Sequence, residues 1–431
     1  MNLEQGTAHP EQNREQNREQ QPGTRNLEPG TASVPRIIVL TPQMAGADGV
    51  STISREVVAA LRGEVGRRIA ALDVWSLGDA AMQPDGDGPG VRVRSGGGSR
   101  AAFATFGIRE AGVDGDTVAL VLHAHLLPVA LPLAARGARV VAMLLGIEAW
   151  KPLTRLQRAT LRRAWRVAAI SRHTMERFRG ANPELVDVPV RICYPGPPNG
   201  TTNGPNGTTN DPNGTTNDPN GTTNDPNGTT NGPNDPNAPN DPNDPNDPND
   251  PNAPTAFALI VGRMSSAERY KGHDELLECW TLVRAAHPSA RLVIAGGGDD
   301  EPRLREKARA LGLDGEVRFE GVAGAARLAE LYSRAAFFVM PSRDEGFGLV
   351  YLEAMRAGLP CIAAPGAAEE IVEDGVSGLI ADPRQPGALA AALLRLFGSA
   401  TARDTMGRAA ARCVEARFAG FPQRLLDLLA C

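Results

Sequence analysis

Short apolar runs of strand type alternate with amphipathic helical patterns along most of the chain, and 57 residues of Asn-Pro-Gly-Thr-Asp repeat divide that alternation into two halves. RIIVL from Arg36, RIAALDVWSL, DTVALVLH, ARVVAMLL and WRVAAIS are strand candidates before the repeat. FALIVGR, ARLVIAGGG, EVRFEG, AFFVMPS and LPCIAA follow it. A run apolar on both faces belongs in a sheet covered on both sides, and helices between such runs make the sheet parallel. The expectation is therefore α/β, with two doubly wound domains over 35–197 and 255–431. A ligand cleft is expected between them, at the carboxyl ends of the strands.

The repeat spans 198–254 and holds 17 Asn, 13 Pro and only two apolar residues, Ala238 and Ala253. It cannot form a core, and proline every few residues prevents a regular ladder, so it reads as an extended, solvated linker. Two readings of it stand: a tandem expansion at a tolerant position between domains, or a binding or glycosylated stalk, since N-G-T occurs five times. Residues 1–34 are rich in Gln, Asn, Glu and Gly and read as a disordered tail.

The formal net charge is -5, but the repeat alone carries eight aspartates and no other charge. Without the repeat and residues 1–34 the remaining 340 residues carry +5, a mildly basic balance, and a charge this modest does not point to nucleic acid as a ligand. Five scattered cysteines without a C-x-x-C pair suit a reducing compartment rather than a disulfide framework or structural zinc. The first residues lack the apolar core of a secretory signal. VALVLHAHLLPVALPLA from Val118 contains two histidines and two prolines and is shorter than the roughly 20 residues a membrane span needs. It reads as strand, turn and helix start in a soluble, cytoplasmic protein.

Two stretches in the second half carry chemistry. In PSRDEGFGLVYLEAMRAGLP, Glu345 precedes a Gly346/Gly348 turn into a helix, whose first N–H groups and positive dipole end face whatever occupies the turn. Glu353 follows eight residues later. If both were helical they would stand about 12 Å apart, beyond the ~5–9.5 Å of carboxyl pairs that flank one glycosidic bond. They suit gripping two parts of one elongated ligand. In VGRMSSAERYKGHDELL, Arg263 and Lys271 bracket the loop after a strand and can hold a diphosphate while its charge grows. The Gly296–Gly298 turn lacks G-x-G-x-x-G spacing and reads as a tight turn.

EGFGLVYLE fits the E-x7-E motif, and GRMSSAERYKG the diphosphate-binding Arg/Lys pair, of the family 4 (group 1) retaining glycosyltransferases, which residues 257–400 resemble. The resemblance implies the GT-B fold, two Rossmann-like domains facing across a cleft, with a C-terminal helix around Ala410–Leu429 packing back on the first domain. It implies a nucleotide-diphosphate sugar as donor and a saccharide or lipid-linked acceptor. Arg263 and Lys271 would bind the diphosphate. Glu345 and the backbone N–H groups of Phe347, Gly348 and Leu349 would hold donor-sugar hydroxyls and a phosphate. Glu353 would meet the ribose, and the base would lie near Glu320–Val322, with Val322 at its side. Retention would follow from attack on the face the phosphate leaves, with that phosphate taking the acceptor proton. Neither a cofactor nor a metal is then required.

PQMAGADGVSTIS resembles the family's N-terminal Gly-rich loop, with Gly49 toward the donor phosphates and Asp48 where a second glycine is common. LLGIEAWKPL departs from the family's H-G-I-E-x-W: Leu145 stands in the histidine's place, ahead of Glu148. His123 and His125, at the end of a strand, either compensate on the acceptor side or are ordinary packed or solvated histidines. Lys151, Arg155, Arg158, Arg162, Arg163 and Arg166 form an acid-free basic run, with 155, 158, 162 and 166 on one helix face. That face is either merely solvated or attracted to anionic lipid. Two alternatives to a transferase are a silent sugar-nucleotide binder and an acceptor-free epimerase or hydrolase.

Overall fold

Ile37, Ile38, Val39 and Leu40 are all fully buried; four consecutive buried residues in a strand require cover on both faces of its sheet. The computed structural model describes residues 34–46, 48–80, 90–198 and 256–430, all within one compact unit that begins at Ser33. The tail expected over 1–34 and the linker expected over 198–254 fall almost wholly outside the described residues.

The first sheet contains β1 (Val34–Thr41), β2 (Ile69–Ser76), β3 (Val91–Ser95), β4 (Thr117–Val121), β5 (Arg139–Leu144), β6 (Arg166–Ala169) and β7 (Val190–Ile192). Its order is β3-β2-β1-β4-β5-β6-β7, parallel throughout. Helices α1 (Gly49–Arg62), α2 (Arg100–Arg109), α3 (Leu127–Ala135), α4 (Arg155–Arg163) and α5 (Arg172–Ala181) lie between its strands. The second sheet contains β8 (Phe257–Val261), β9 (Arg291–Ala295), β10 (Val317–Gly321), β11 (Phe337–Met340), β12 (Cys361–Ala363) and β13 (Gly378–Ile380). It is also parallel, in the order β10-β9-β8-β11-β12-β13. Its helices are α6 (His273–Ala286), α7 (Glu301–Ala310), α8 (Ala325–Arg334), α9 (Leu349–Arg356), α10 (Pro386–Gly398), α11 (Ala400–Arg417) and α12 (Phe421–Leu429).

Two doubly wound parallel sheets are thus the architecture, as expected. The chain turns back between β1 and β4 in the first sheet and between β8 and β11 in the second, which opens a crevice at the carboxyl ends of each pair.

One element differs from expectation. The helix around Ala410–Leu429 is two helices, broken at 418–420, where Gly420 precedes α12 and Pro422 occupies its first turn. The break lets α12 return to the first sheet. Arg166, whose guanidinium lies 3.7 Å from the centre of the Trp165 ring, donates to the carbonyls of Asp427 (3.1 Å), Leu428 (2.6 Å) and Ala430 (2.6 Å). Arg424 donates to the Tyr194 carbonyl at 3.0 Å. Among the described residues no helix is long and apolar enough to cross a membrane.

Candidate active site

β8 ends at Val261 and β11 at Met340, so Arg263 and Glu345 leave the two strands that flank the crevice of the second sheet. Lys271 reaches the same place: its Nζ is 3.3 Å from Glu345 Oε1, both side chains are about five-sixths buried, and the Ser342 hydroxyl donates to the same oxygen at 3.1 Å. The Lys271 stem crosses Gly262, with Cδ 3.7 Å from where a Cβ on that glycine would sit. A Cβ there would make ordinary van der Waals contact with the lysine stem. Arg263 is half exposed and paired with Glu268, Nε to Oε2 at 3.0 Å.

Glu345 lies in the turn and not on a helix, since α9 starts only at Leu349; the spacing expected for two helical glutamates does not apply. Gly348 precedes α9 at φ +98°, a left-handed conformation that side chains resist, and a Cβ there would strike the Tyr351 ring at 2.6 Å. No side chain caps this helix, so no side chain occupies its first N–H groups. The Phe347 side chain is buried against Tyr194 and Phe418, which leaves its backbone to serve the turn. Glu353, on α9, accepts from the Tyr332 hydroxyl at 2.8 Å, and burial raises its carboxyl to about 7.

Val322 is 81% exposed, an apolar side chain in the open beside the Gly297 backbone. Glu320 pairs with Arg318 and Arg327 at 2.7 and 2.6 Å, and the Gly296–Gly298 turn packs against Gly262 and Met264.

The loops after β1 and β4 supply the first-half candidates. Asp48 caps α1, accepting from the Ser51 N–H at 3.0 Å and from Gln43 at 2.8 Å. Burial opposes its ionisation, yet these bonds and the charge of Arg263 keep the carboxyl below its ordinary value. Arg263 feels Asp48 in turn, which links the two crevices. Gly49 opens α1, and a Cβ there would meet nothing within 4 Å. His123 Nδ1 accepts from the His125 N–H at 3.2 Å, so its proton sits on Nε2. Burial and His125 depress it to about 4, against a small opposing pull from Asp48. His125 is exposed beside it, ring centres 4.7 Å apart. Leu145 is buried, and its N–H donates to Glu148 at 2.6 Å. The Glu148 carboxylate therefore folds into its own loop as a brace, and burial raises its pKa despite those bonds.

The contacts between the halves escape sequence reasoning. A Cβ on Gly146 would lie 3.1 Å from Gly346 Cα. The Gly346 carbonyl accepts from Ser171 (2.7 Å) and Thr174 (2.9 Å) at the start of α5. Glu370 accepts from the N–H groups of Arg172 (2.8 Å) and His173 (2.6 Å) and from the Tyr194 hydroxyl (2.9 Å). The S-x-x-T pattern signals a helix start, but nothing in sequence names its partner on the other sheet. The helix face expected for 155, 158, 162 and 166 does not form, because α4 ends at Arg163 and Arg166 lies on β6, where it holds α12. On α4 itself Arg158 pairs with Glu184 at 2.8 Å and Arg162 donates to the Glu184 carbonyl.

Residues 256–399 match the family described as Glycosyl transferases group 1. A D-inositol 3-phosphate glycosyltransferase of Nocardiopsis dassonvillei is 37% identical over 166 residues, 36% of this chain and 38% of that protein. A mannosylfructose-phosphate synthase of Agrobacterium fabrum is 30% identical over 182 residues, 40% of this chain and 39% of that protein. The matched stretch is thus under half the length of these relatives. Among solved structures, Anabaena Alr3699/HepE in complex with UDP and glucose has a TM-score of 0.67 at 19% identity, covering 92% of this chain and 99% of that one. Sucrose-phosphate synthase from Thermosynechococcus elongatus has a TM-score of 0.68 at 19% identity, covering 92% and 98%. Likeness over nine-tenths of the chain establishes the GT-B fold.

Proposed function

We propose that this chain, whose segment 256–399 matches the group 1 glycosyl transferases, moves a sugar from a nucleotide-diphosphate donor to a saccharide or lipid-linked acceptor with retention of configuration. One observation carries the reading: Lys271 and Glu345, 74 residues apart in sequence, pair at 3.3 Å where the strand order of the second sheet reverses. The UDP bound in the Anabaena neighbour and the glycosyltransferase and sugar-phosphate synthase named among the relatives support it.

In this mechanism the acceptor oxygen bonds to the anomeric carbon on the face from which the diphosphate departs. The carbon–oxygen bond to the phosphate breaks with its electron pair left on that oxygen, which takes the acceptor's proton. Lys271, Arg263 and the N–H groups opening α9 neutralise the growing charge; Arg263 exchanges Glu268 for phosphate. Glu345 orients the donor sugar, Glu353 receives ribose hydroxyls and Val322 lies along the base. Two fixed cations do what a divalent metal would do, so the reaction needs none.

The test is nucleoside-diphosphate release from a panel of UDP-, GDP- and ADP-sugars, with and without acceptor and with EDTA. Acceptor-dependent release, insensitive to EDTA and giving a product of unchanged anomeric configuration, is expected. Release without any glycosylated product would convert the reading to a hydrolase. The cations left on the segment, Lys151, Arg155 and Arg163, support contact with an anionic membrane face that carries the acceptor. Liposome sedimentation indifferent to anionic lipid would remove that contact.

A further inference from the structure

A second concave site lies at the outer edge of the first sheet, away from the strand carboxyl ends. Arg92 and Arg94 take alternate positions on β3, the edge strand, so both side chains leave the same face. With Thr105, Phe106, Arg109 and Glu110 they line a cavity of about 460 Å3, within the size range of small-molecule sites.

Its charge is out of balance. Asp73 is fully buried and Glu110 nearly so. Arg36 bridges both, 2.7 Å from Asp73; Arg92 Nε stands 2.7 Å from Asp73 Oδ1, and Arg94 pairs with Glu110. Arg109 makes no ion pair among the described residues. Two carboxylates thus face four guanidinium groups. The buried acids hold one edge of Arg92 and Arg94, leaving further N–H donors of each fork fixed in position. Both side chains remain at least one-third exposed, so those donors are reachable. Phe106 adds an apolar wall, tilted against Phe103 and edge-on to Trp75.

We infer that this cavity binds a small dianion carrying an apolar group, a phosphate monoester in chemical class. A phosphate presents oxygens to two or three guanidinium forks at once, and its charge matches the excess. The site does not share residues with the crevice of Lys271 and Glu345, so its occupant binds independently of the donor.

Calorimetric titration of the full-length protein with phenyl phosphate, inorganic phosphate and phenol tests this. Saturable binding of phenyl phosphate, weaker binding of phosphate and none of phenol are expected. Arg109→Gln and Arg94→Lys should each weaken phenyl phosphate roughly tenfold, the worth of one charged hydrogen bond, while a saturating nucleoside diphosphate, which fills the Lys271 crevice, should leave this binding in place. Arg109 holds no buried acid, so its variant decides the matter even if Arg94→Lys fails to fold. Absence of saturable binding, indifference to Arg109→Gln, or loss of binding when the nucleoside diphosphate is saturating would overturn the site. Arg109-dependent sedimentation with phosphatidic acid vesicles would assign the phosphate to a lipid, and its absence to a soluble ester; either source supports the cavity.

Discussion

Gly146 and Gly346 meet backbone to backbone: a Cβ on the first would lie 3.1 Å from Cα of the second, and one on the second 2.8 Å from the Leu145 carbonyl. The loop after β5 therefore rests on the turn that carries Glu345, and any side chain at either position drives the two apart. Gly146→Ala adds strain, since Gly146 sits at φ +144°. About 1–3 kcal/mol of stability should be lost, with turnover reduced about 100-fold by displacement of the turn. Thermal melts and nucleoside-diphosphate release measure both; a variant that melts and turns over like wild type would show that the loops separate freely.

Lys271→Ala and Glu345→Ala should differ in kind. Loss of the ammonium removes stabilisation of the departing diphosphate, costing about 10²–10³ in kcat and weakening nucleoside-diphosphate binding. Loss of the carboxylate frees Lys271 for the phosphate, so Glu345→Ala should cut turnover while nucleoside-diphosphate affinity holds or rises. Titration calorimetry beside steady-state kinetics separates the two. Equal loss of affinity in both variants would mean the pair acts only as a structural ion pair.

His123, its proton on Nε2 beside the Asp48 loop, is the better placed of the two histidines to stand in for the imidazole that Leu145 lacks. His123→Ala should lower kcat/KM at least about tenfold, roughly one hydrogen bond to the bound sugar, whereas His125→Ala, in the open, should change little. Unchanged turnover in both would leave Leu145 without compensation.

Glu370 holds the start of α5, and α5 holds the Gly346 carbonyl. Glu370→Ala leaves two backbone N–H groups unpaired, costing about 1 kcal/mol, as loss of a helix cap does. The donor KM should rise more than kcat falls. Glu370→Gln, which keeps one acceptor oxygen, should recover part of the change; no recovery would mean that the charge rather than the bond is what matters.

The strands of the second sheet were legible because Phe257–Val261 and Phe337–Met340 are apolar runs ended by Gly or Pro, and those ends carry Arg263 and Glu345. The short edge strands β3 and β13 were not: VRVRS puts two arginines on its outer face, and GLI is three residues long. Juxtaposition across the halves was beyond reach for another reason. Gly146 and Gly346 are 200 positions apart, and each obeys its own turn chemistry, so nothing local records that they touch. Likewise the arginines between 155 and 166 displayed a common helical face, but only the fold shows that α4 stops at Arg163 with Glu184 beneath it, and that Arg166, on β6, meets the carbonyls at the end of α12.

The pH dependence of stability follows from buried histidines and glutamates near the crevices. Burial holds His123 and His273 down near 4, helped by His125 and Lys271 respectively. Unfolded, both titrate near 6.5, so between about pH 4 and 6.5 the unfolded chain binds more protons and stability rises with pH. Glu353, raised to about 7, acts oppositely: from about pH 4.5 to 7 the folded state keeps a proton the unfolded chain has shed, and stability falls as pH rises. His173, also held down by burial, acts with the two histidines, and Glu148, raised by burial, acts with Glu353. The three histidines outweigh the two glutamates, so the urea midpoint should climb from pH 5 to 6.5 and then level off. Glu353→Gln keeps an acceptor for the Tyr332 hydroxyl and removes the opposing titration. The stability gained between pH 5 and pH 7 should then widen by about 2 kcal/mol relative to wild type. An unchanged gap would mean that Glu353 ionises as it would in water, and that the ribose hydroxyls meet a fully charged carboxylate.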